Sequence, residues 1–134
     1  MNVKYKSKQN AKAANLLLQN STEDNDFYMA VIHCVYYSCF QLIKFILKSE
    51  CKYKMSYYEQ NQKNEDSHEK IIKKLIPNLK EIVNTTELNN FRDSYYSLKR
   101  LRIKADYNNQ KVNLIDVNSA IEELENIKSI LNKI

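Results

Sequence analysis

The sequence contains no glycine and only one proline, Pro77, among its 134 residues. Sheets and tight hairpins usually need glycine for backbone conformations with positive φ, so its absence argues against a β-rich fold. The sequence therefore predicts helices joined by turns of Asn, Asp and Ser. The asparagines expected to supply left-handed or capping conformations are Asn25, Asn64, Asn84 and Asn109.

Cysteine is also scarce, and the three cysteines, Cys34, Cys39 and Cys51, include no CxxC spacing. An odd number without paired spacing argues against a disulfide framework or a zinc site. We therefore expect small buried side chains in a protein of the reducing cytoplasm. No carboxylate–histidine cluster has metal-ligand spacing either, and neither a metal nor a cofactor is expected.

Uninterrupted apolar runs are missing as well. The longest apolar region, residues 31–47, is broken by His33, Gln41 and Lys44, and residues 1–9 are polar. This pattern predicts neither a membrane span nor a signal peptide. The net charge of +5, from 21 Lys+Arg against 16 Asp+Glu, is compatible with RNA or an acidic partner. Solvated helix faces are the more common explanation of such an excess.

Hydrophobic periodicity predicts five helices and, with them, an all-α, up-and-down bundle in one domain over residues 1–134. The expected ranges are about 8–19, 26–48, 66 or 67 to 83, 86–107 and 114–132. The second helix is apolar on two sides, so we expect part of it to be covered by a second subunit. Residues 49–65 lack a sustained period and are predicted to be a flexible loop, and Pro77 to kink or split the third helix.

The fourth predicted helix places an arginine in an apolar stripe. A buried guanidinium must be paired and hydrogen-bonded, and Asp106 lies one turn beyond Arg102 on the same side. Two interpretations remain open: a structural Arg102–Asp106 pair at the bundle edge, and a functional arginine. The stripe consists of Leu88, Phe91, Tyr95, Leu98, Arg102 and Ala105.

The two histidines fall at different places. His33 lies on a narrow polar stripe of the second helix with Tyr37, Gln41, Lys44 and Lys48. A solvated or interface-facing stripe is the commoner explanation, and an acid/base site is the alternative. His68, at the start of the third helix, is more typical of a capping or packing histidine than of a catalytic one.

Three segments, in this order, resemble the HEPN domains (higher eukaryotes and prokaryotes nucleotide-binding). Residues 30–40, AVIHCVYYSCF, are similar to the A-x-x-x-A-Y-Y-A-x-F segment of that family. Ser67 and His68 follow at the start of a helix, as is common in the family, and residues 101–107, LRIKADY, are similar to its L-R-x-x-A-D-Y. The resemblance extends over about residues 8–130 and implies a dimeric helical bundle with a shared cleft.

Many HEPN domains are metal-independent endoribonucleases of toxin–antitoxin, CRISPR or phage-defence systems, with an R-x(4–6)-H motif. In them the histidine performs acid/base chemistry on the RNA 2′-hydroxyl, and the arginine stabilises the charge that develops at phosphorus. In this chain Tyr107, Asn108 and Asn109 occupy the histidine positions after Arg102. A tyrosine is a poor proton shuttle at pH 7. His33 or His68 would replace the missing histidine only if the fold brings one of them beside Arg102.

The resemblance thus leaves two hypotheses, both with a homodimer. The first is an RNA-cleaving HEPN protein with Arg102, Asp106 and Tyr107 in its cleft and His33 as a weaker candidate. The second is a non-catalytic dimer that binds a nucleotide or a partner and works with a minimal nucleotidyltransferase. In that case Tyr107 corresponds to a tyrosine that such a partner modifies.

Overall fold

The structure is a computed structural model that describes residues 3–62, 67–107 and 110–134. Within these ranges there are six helices and no strand, which confirms the predicted all-α bundle. Five of the helices correspond to the predicted ones, and the additional one, α3, has only four residues. The helices are α1 (Val3–Gln19), α2 (Tyr28–Ser49), α3 (Tyr57–Gln60), α4 (Ser67–Lys80), α5 (Thr85–Tyr107) and α6 (Leu114–Leu131).

Helix α2 is the centre of the core and packs against α1, α5, α6 and α4. Its buried residues come from both of its apolar sides, but Leu42 and Phe45 on one of these sides are only partly buried. That a second subunit covers part of α2 stays a prediction. The buried residues are Val31, Ile32, Val35, Tyr36, Ser38, Cys39, Phe40, Ile43, Ile46 and Leu47.

The same helix has the length and composition of a membrane-crossing segment. With 22 residues and a mean hydropathy of 1.5 in its most apolar window, α2 is the only helix of the described residues to meet both criteria. A core helix of a soluble protein meets them too, and 56% of that window is buried inside the bundle. The hydropathy of α2 is thus compatible with a soluble protein.

Two serines hold α1 against α2. The Ser7 hydroxyl donates to the carbonyl oxygen of Ser38 at 2.6 Å, and the Ser38 hydroxyl donates to the carbonyl oxygen of Ser7 at 2.9 Å. Both residues are buried, and their small side chains let the helices approach closely. These reciprocal hydrogen bonds fix the register of α1 along α2.

Asparagine and serine side chains cap helix starts in this glycine-free chain, with Ser56 at the start of α3. The Asn84 side chain accepts a hydrogen bond from the Glu87 N–H at 2.8 Å, which confirms its capping role at the start of α5. Asn113 and Asp116 form a capping box at the start of α6. Asn25 lies in the turn before α2, where its N–H donates to the Thr22 hydroxyl at 3.1 Å. Asn64 and Asn109 lie outside the described residues.

The prediction of a flexible loop is wrong for residues 50–62. Cys51 and Met55 are each only 2% exposed. The buried Asn78 side chain accepts from the N–H of Tyr53 at 2.7 Å and donates to the carbonyl oxygen of Tyr53 at 3.0 Å. The prediction failed because single apolar residues that reach the core leave no periodic pattern. Residues 63–65 of the predicted loop lie outside the described ranges.

Pro77 does not split α4, which continues as one helix to Lys80. The proline lies in the last turn, where the missing N–H removes a single hydrogen bond close to the helix end. The helix nevertheless stops before Val83, the last residue of the predicted range.

Candidate functional site

The apolar stripe of α5 brings Arg102 to the edge of the core. Its other five residues, from Leu88 to Ala105, are at most 7% exposed. The Arg102 side chain is 13% exposed, and it extends towards α2, where it contacts Tyr36 and Tyr37. The stripe therefore determines where the arginine lies.

Three hydrogen bonds hold the guanidinium. Arg102 donates from Nε to Oδ2 of Asp106 at 3.2 Å, which confirms the predicted pair. Its Nη2 donates to the hydroxyl of Tyr37 at 3.3 Å and to that of Tyr107 at 3.1 Å. A guanidinium has five N–H donors, and the two on Nη1 make no hydrogen bond to any residue that the structure describes. Those two donors are available to bind an anion.

Three tyrosine rings surround the same group. The guanidinium carbon lies 5.1 Å, 5.7 Å and 5.2 Å from the ring centroids of Tyr36, Tyr37 and Tyr107, and we call these three residues the tyrosine cage. Each distance permits a cation–π interaction. Partial burial on its own lowers the pKa of Arg102, but the cage and Asp106 outweigh it and raise this pKa overall. The arginine thus keeps its charge in a largely enclosed position.

His33 completes the cluster from α2. Its Nδ1 lies 3.0 Å from Oδ2 of Asp106, the oxygen that also accepts from Arg102. The His33 side chain is 49% exposed, as expected for its polar stripe, and its ring centroid lies 4.6 Å from that of Tyr37. A carboxylate that accepts from Nδ1–H leaves Nε2 as the proton acceptor. Of the two histidines, His33 is therefore the one linked to Arg102 through Asp106.

His68 lies on the other side of Tyr36. Its Nδ1 is 2.6 Å from the Tyr36 hydroxyl, and its ring stacks on Phe40 with centroids 4.0 Å apart, which confirms the packing interpretation. Burial raises the pKa of Tyr36 to about 12 and also raises the pKa of Tyr95, whose hydroxyl is 3.2 Å from that of Tyr36. Both phenols are therefore neutral hydrogen-bonding groups at pH 7.

The structure thus brings together Arg102, Asp106, Tyr107 and His33, the four residues that the sequence suggested. Reasoning from the sequence did not assign a site role to Tyr36 or Tyr37, although these tyrosines stand one turn after His33 on α2. Their proximity to Arg102 depends on how α2 packs against α5, and a local sequence pattern does not predict this packing.

The described residues contain no group of three or more His, Cys, Asp or Glu side chains that could hold a metal ion. The cysteines are free, and Cys39 and Cys51 are buried. Burial raises the pKa of Cys39 to about 12 and that of Cys51 to about 11, which keeps both as neutral thiols. They behave as the small apolar side chains that the sequence predicted.

Fold and site together define a class of protein: an all-α bundle with an arginine–carboxylate–histidine cluster between two helices. Comparison of the chain with protein-family models, with curated proteins and with solved structures gives no match. The assignment to a particular family therefore depends on the motifs of α2 and α5 and on the geometry of this cluster.

Proposed function

We propose that the protein is a metal-independent endoribonuclease of HEPN type that acts in the cytoplasm in a toxin–antitoxin or phage-defence system. The observation that carries this proposal is the link from His33 through Asp106 to Arg102, with distances of 3.0 Å and 3.2 Å. It supplies a proton acceptor and a fixed positive charge next to each other. The motif similarities of residues 30–40 and 101–107 support the family assignment.

The cluster has the groups that cleavage by the RNA 2′-hydroxyl requires. His33 Nε2 takes the proton of the 2′-hydroxyl, and the 2′-oxygen forms a bond to the adjacent phosphorus. The two N–H groups of Arg102 Nη1 donate to the non-bridging oxygens, on which negative charge develops. The bond from phosphorus to the 5′-oxygen breaks, and the imidazolium returns its proton to that oxygen. The products are a 2′,3′-cyclic phosphate and a 5′-hydroxyl, and Asp106 stabilises the imidazolium between the two steps.

Exposed apolar side chains lie beside the cluster and support the homodimer. Met29, 50% exposed, is one turn before His33 on α2, while Ile103, 37% exposed, is three residues before Asp106 on α5. Tyr107, next to Asp106, is 68% exposed. A second copy that covers this face would exclude water from the cluster and bring two clusters together.

Cleavage of RNA in the presence of EDTA tests the proposal. The wild-type protein should cut single-stranded RNA, and Arg102→Ala should reduce the rate by about 10²–10³-fold because a charged donor to the transition state is lost. Arg100→Ala is the matched control, since Arg100 is exposed and hydrogen-bonds only Ser97 among the described residues. Circular dichroism checks the fold of each variant. A wild-type protein that leaves all RNAs intact would refute the proposal.

One observation favours a second candidate function, a non-catalytic dimer that works with a minimal nucleotidyltransferase. The Tyr107 side chain is exposed, and its hydroxyl lies 3.1 Å from Arg102 Nη2. In this case the hydroxyl attacks the α-phosphorus of a nucleoside triphosphate, pyrophosphate leaves, and the partner enzyme removes the proton. Mass spectrometry after co-expression with such an enzyme should show one added nucleoside monophosphate, absent from Tyr107→Phe. An unchanged mass would exclude this function.

A further inference from the structure

A cavity of about 390 Å³ lies next to the arginine cluster and shares Tyr37 with it. Its wall includes one face of α2 together with residues of α3 and the start of α4. Ligand pockets measure about 300–1,000 Å³, so this cavity has the size of a small-ligand site. The residues that matter for its chemistry are Phe40, Gln41, Lys44, Gln60 and His68.

Lys44 brings a positive charge to this cavity, and no carboxylate among the described residues forms an ion pair with it. Burial and the nearby charge of Lys6 both lower the pKa of Lys44. Within the described residues neither lysine forms an ion pair, in contrast to Lys104 and Lys128, which contact Asp116 and Glu125. Two ammonium groups close together, with no counter-charge among the described residues, favour the binding of an anion.

Two glutamines supply unused hydrogen-bond acceptors. The side-chain oxygens of Gln41 and Gln60 are buried and have no hydrogen-bond partner among the residues that the structure describes. Gln60 is only 4% exposed, and its Nε2 donates to the carbonyl oxygens of Lys44 at 2.9 Å and Met55 at 3.0 Å. These two bonds fix the orientation of the amide, so its oxygen is an acceptor. A buried acceptor without a donor is unfavourable and calls for an N–H group from elsewhere.

The aromatic residues of the cavity are arranged around a stacked pair. The rings of Phe40 and His68 are nearly parallel, with an angle of 12° and 4.0 Å between their centroids. The Tyr37 ring is almost perpendicular to both, at 87° and 90°. Phe40 is only 5% exposed and has one face covered by His68, so the partly buried rings of Tyr37 and His68 are the aromatic surfaces that the cavity offers to a base.

We propose that this cavity binds the nucleotide next to the cleaved phosphodiester, with Lys44 on a phosphate and the amides of Gln41 and Gln60 on the base. The proposal rests on the proposed function, because it places an RNA strand at the Arg102 cluster. The two amide oxygens accept hydrogen bonds from the amino group of adenine, cytosine or guanine. Uracil has no amino group and offers only its N3–H, so it can satisfy one of the two buried oxygens where an amino group satisfies both, and the cavity discriminates against it.

Binding of hexanucleotides with 2′-O-methyl groups tests the site, because the blocked 2′-oxygen prevents cleavage. Fluorescence anisotropy should show about tenfold tighter binding of the adenine than of the uracil oligomer, the effect of one hydrogen bond. Lys44→Gln should weaken the binding of both and reduce the slope of log K against log salt by about 0.7, the value for one phosphate contact. Lys128→Gln is the matched control, with the same change of charge on α6.

Gln41→Leu should abolish the preference for adenine while the uracil oligomer binds as it does to the wild type. Equal affinities of Lys44→Gln and Lys128→Gln, or no binding of either oligomer to the wild type, would overturn the proposal. If ordinary RNA is cut but binding does not depend on Lys44, only the nucleotide site is wrong. If binding depends on Lys44 and prefers adenine while ordinary RNA stays intact in EDTA, the nucleotide site holds and the ribonuclease proposal fails.

Discussion

His33 and Asp106 are 73 positions apart in the chain, yet Nδ1 of the histidine lies 3.0 Å from Oδ2 of the aspartate. The same oxygen accepts from Arg102 at 3.2 Å, so one carboxylate joins the two groups to which we assign the chemistry. Arg102 and Asp106 are one turn apart on α5, whereas His33 is on α2. The cluster therefore exists only while these two helices are packed together.

If the three residues act as a unit, His33→Asn and Asp106→Asn should each reduce single-turnover RNA cleavage by about 10²–10⁴-fold, the usual contribution of general acid–base catalysis. The double variant should be little slower than His33→Asn alone, because Asp106 acts through the histidine. Asp93→Asn, an exposed change on the same helix, is the control. Independent effects that multiply in the double variant would show that the two residues do not cooperate.

The buried phenol of Tyr36 should make the fold sensitive to high pH. Burial raises its pKa from the ordinary 10.0 to about 12, so the unfolded chain loses this proton first as the pH rises. Tyr36 therefore makes its full contribution to the free energy of unfolding below pH 10, and this contribution is lost as the pH rises from 10 towards 12. Urea unfolding at pH 8 and pH 11 should show a loss of about 1 kcal/mol from this residue, which Tyr36→Phe removes. Tyr58→Phe, at a side chain that is 78% exposed, should leave the alkaline loss unchanged.

Asn78 should be important for the segment between α2 and α4. In the wild type the Tyr53 N–H donates to Asn78 Oδ1 at 2.7 Å, and Asn78 Nδ2 donates to the Tyr53 carbonyl oxygen at 3.0 Å. Asn78→Ala leaves both backbone groups without these partners. We expect the free energy of unfolding to fall by about 2–4 kcal/mol, since two hydrogen bonds to backbone groups are lost. Asn89→Ala, an exposed position on α5, should change it by less than about 0.5 kcal/mol. Similar values for both variants would mean that the segment is not held by Asn78.

The exposed apolar side chains beside the cluster predict a dimer that charge should disrupt. Light scattering should find two copies of the wild-type chain at micromolar concentration and one copy of the Met29→Lys/Ile103→Lys variant. The reason is that a buried, unpaired ammonium group strongly opposes association. Ile82→Lys is the control, at a side chain that is 43% exposed beyond the end of α4. A wild-type monomer would contradict the homodimer proposal.

Periodicity predicted five of the six helices, because helix-forming apolar patterns repeat within each segment. It also predicted the Arg102–Asp106 pair, since residues four positions apart lie on one side of any helix. Periodicity could not predict the contact of His33 with Asp106, because this contact depends on the rotation of α2 relative to α5. Periodicity also failed to predict the burial of Met55 and Gln60, since isolated residues that reach the core produce no repeating pattern.

The asparagine and serine caps have a consequence for the state from which this protein folds. A glycine at a turn or helix end would let the unfolded chain sample many more backbone conformations, all of which are lost on folding. With Asn84 and Asn113 at helix starts and no glycine anywhere, the unfolded ensemble is smaller, and its entropy opposes folding less. Part of the stability of the bundle therefore comes from the low conformational entropy of the unfolded chain and not from any contact in the folded structure.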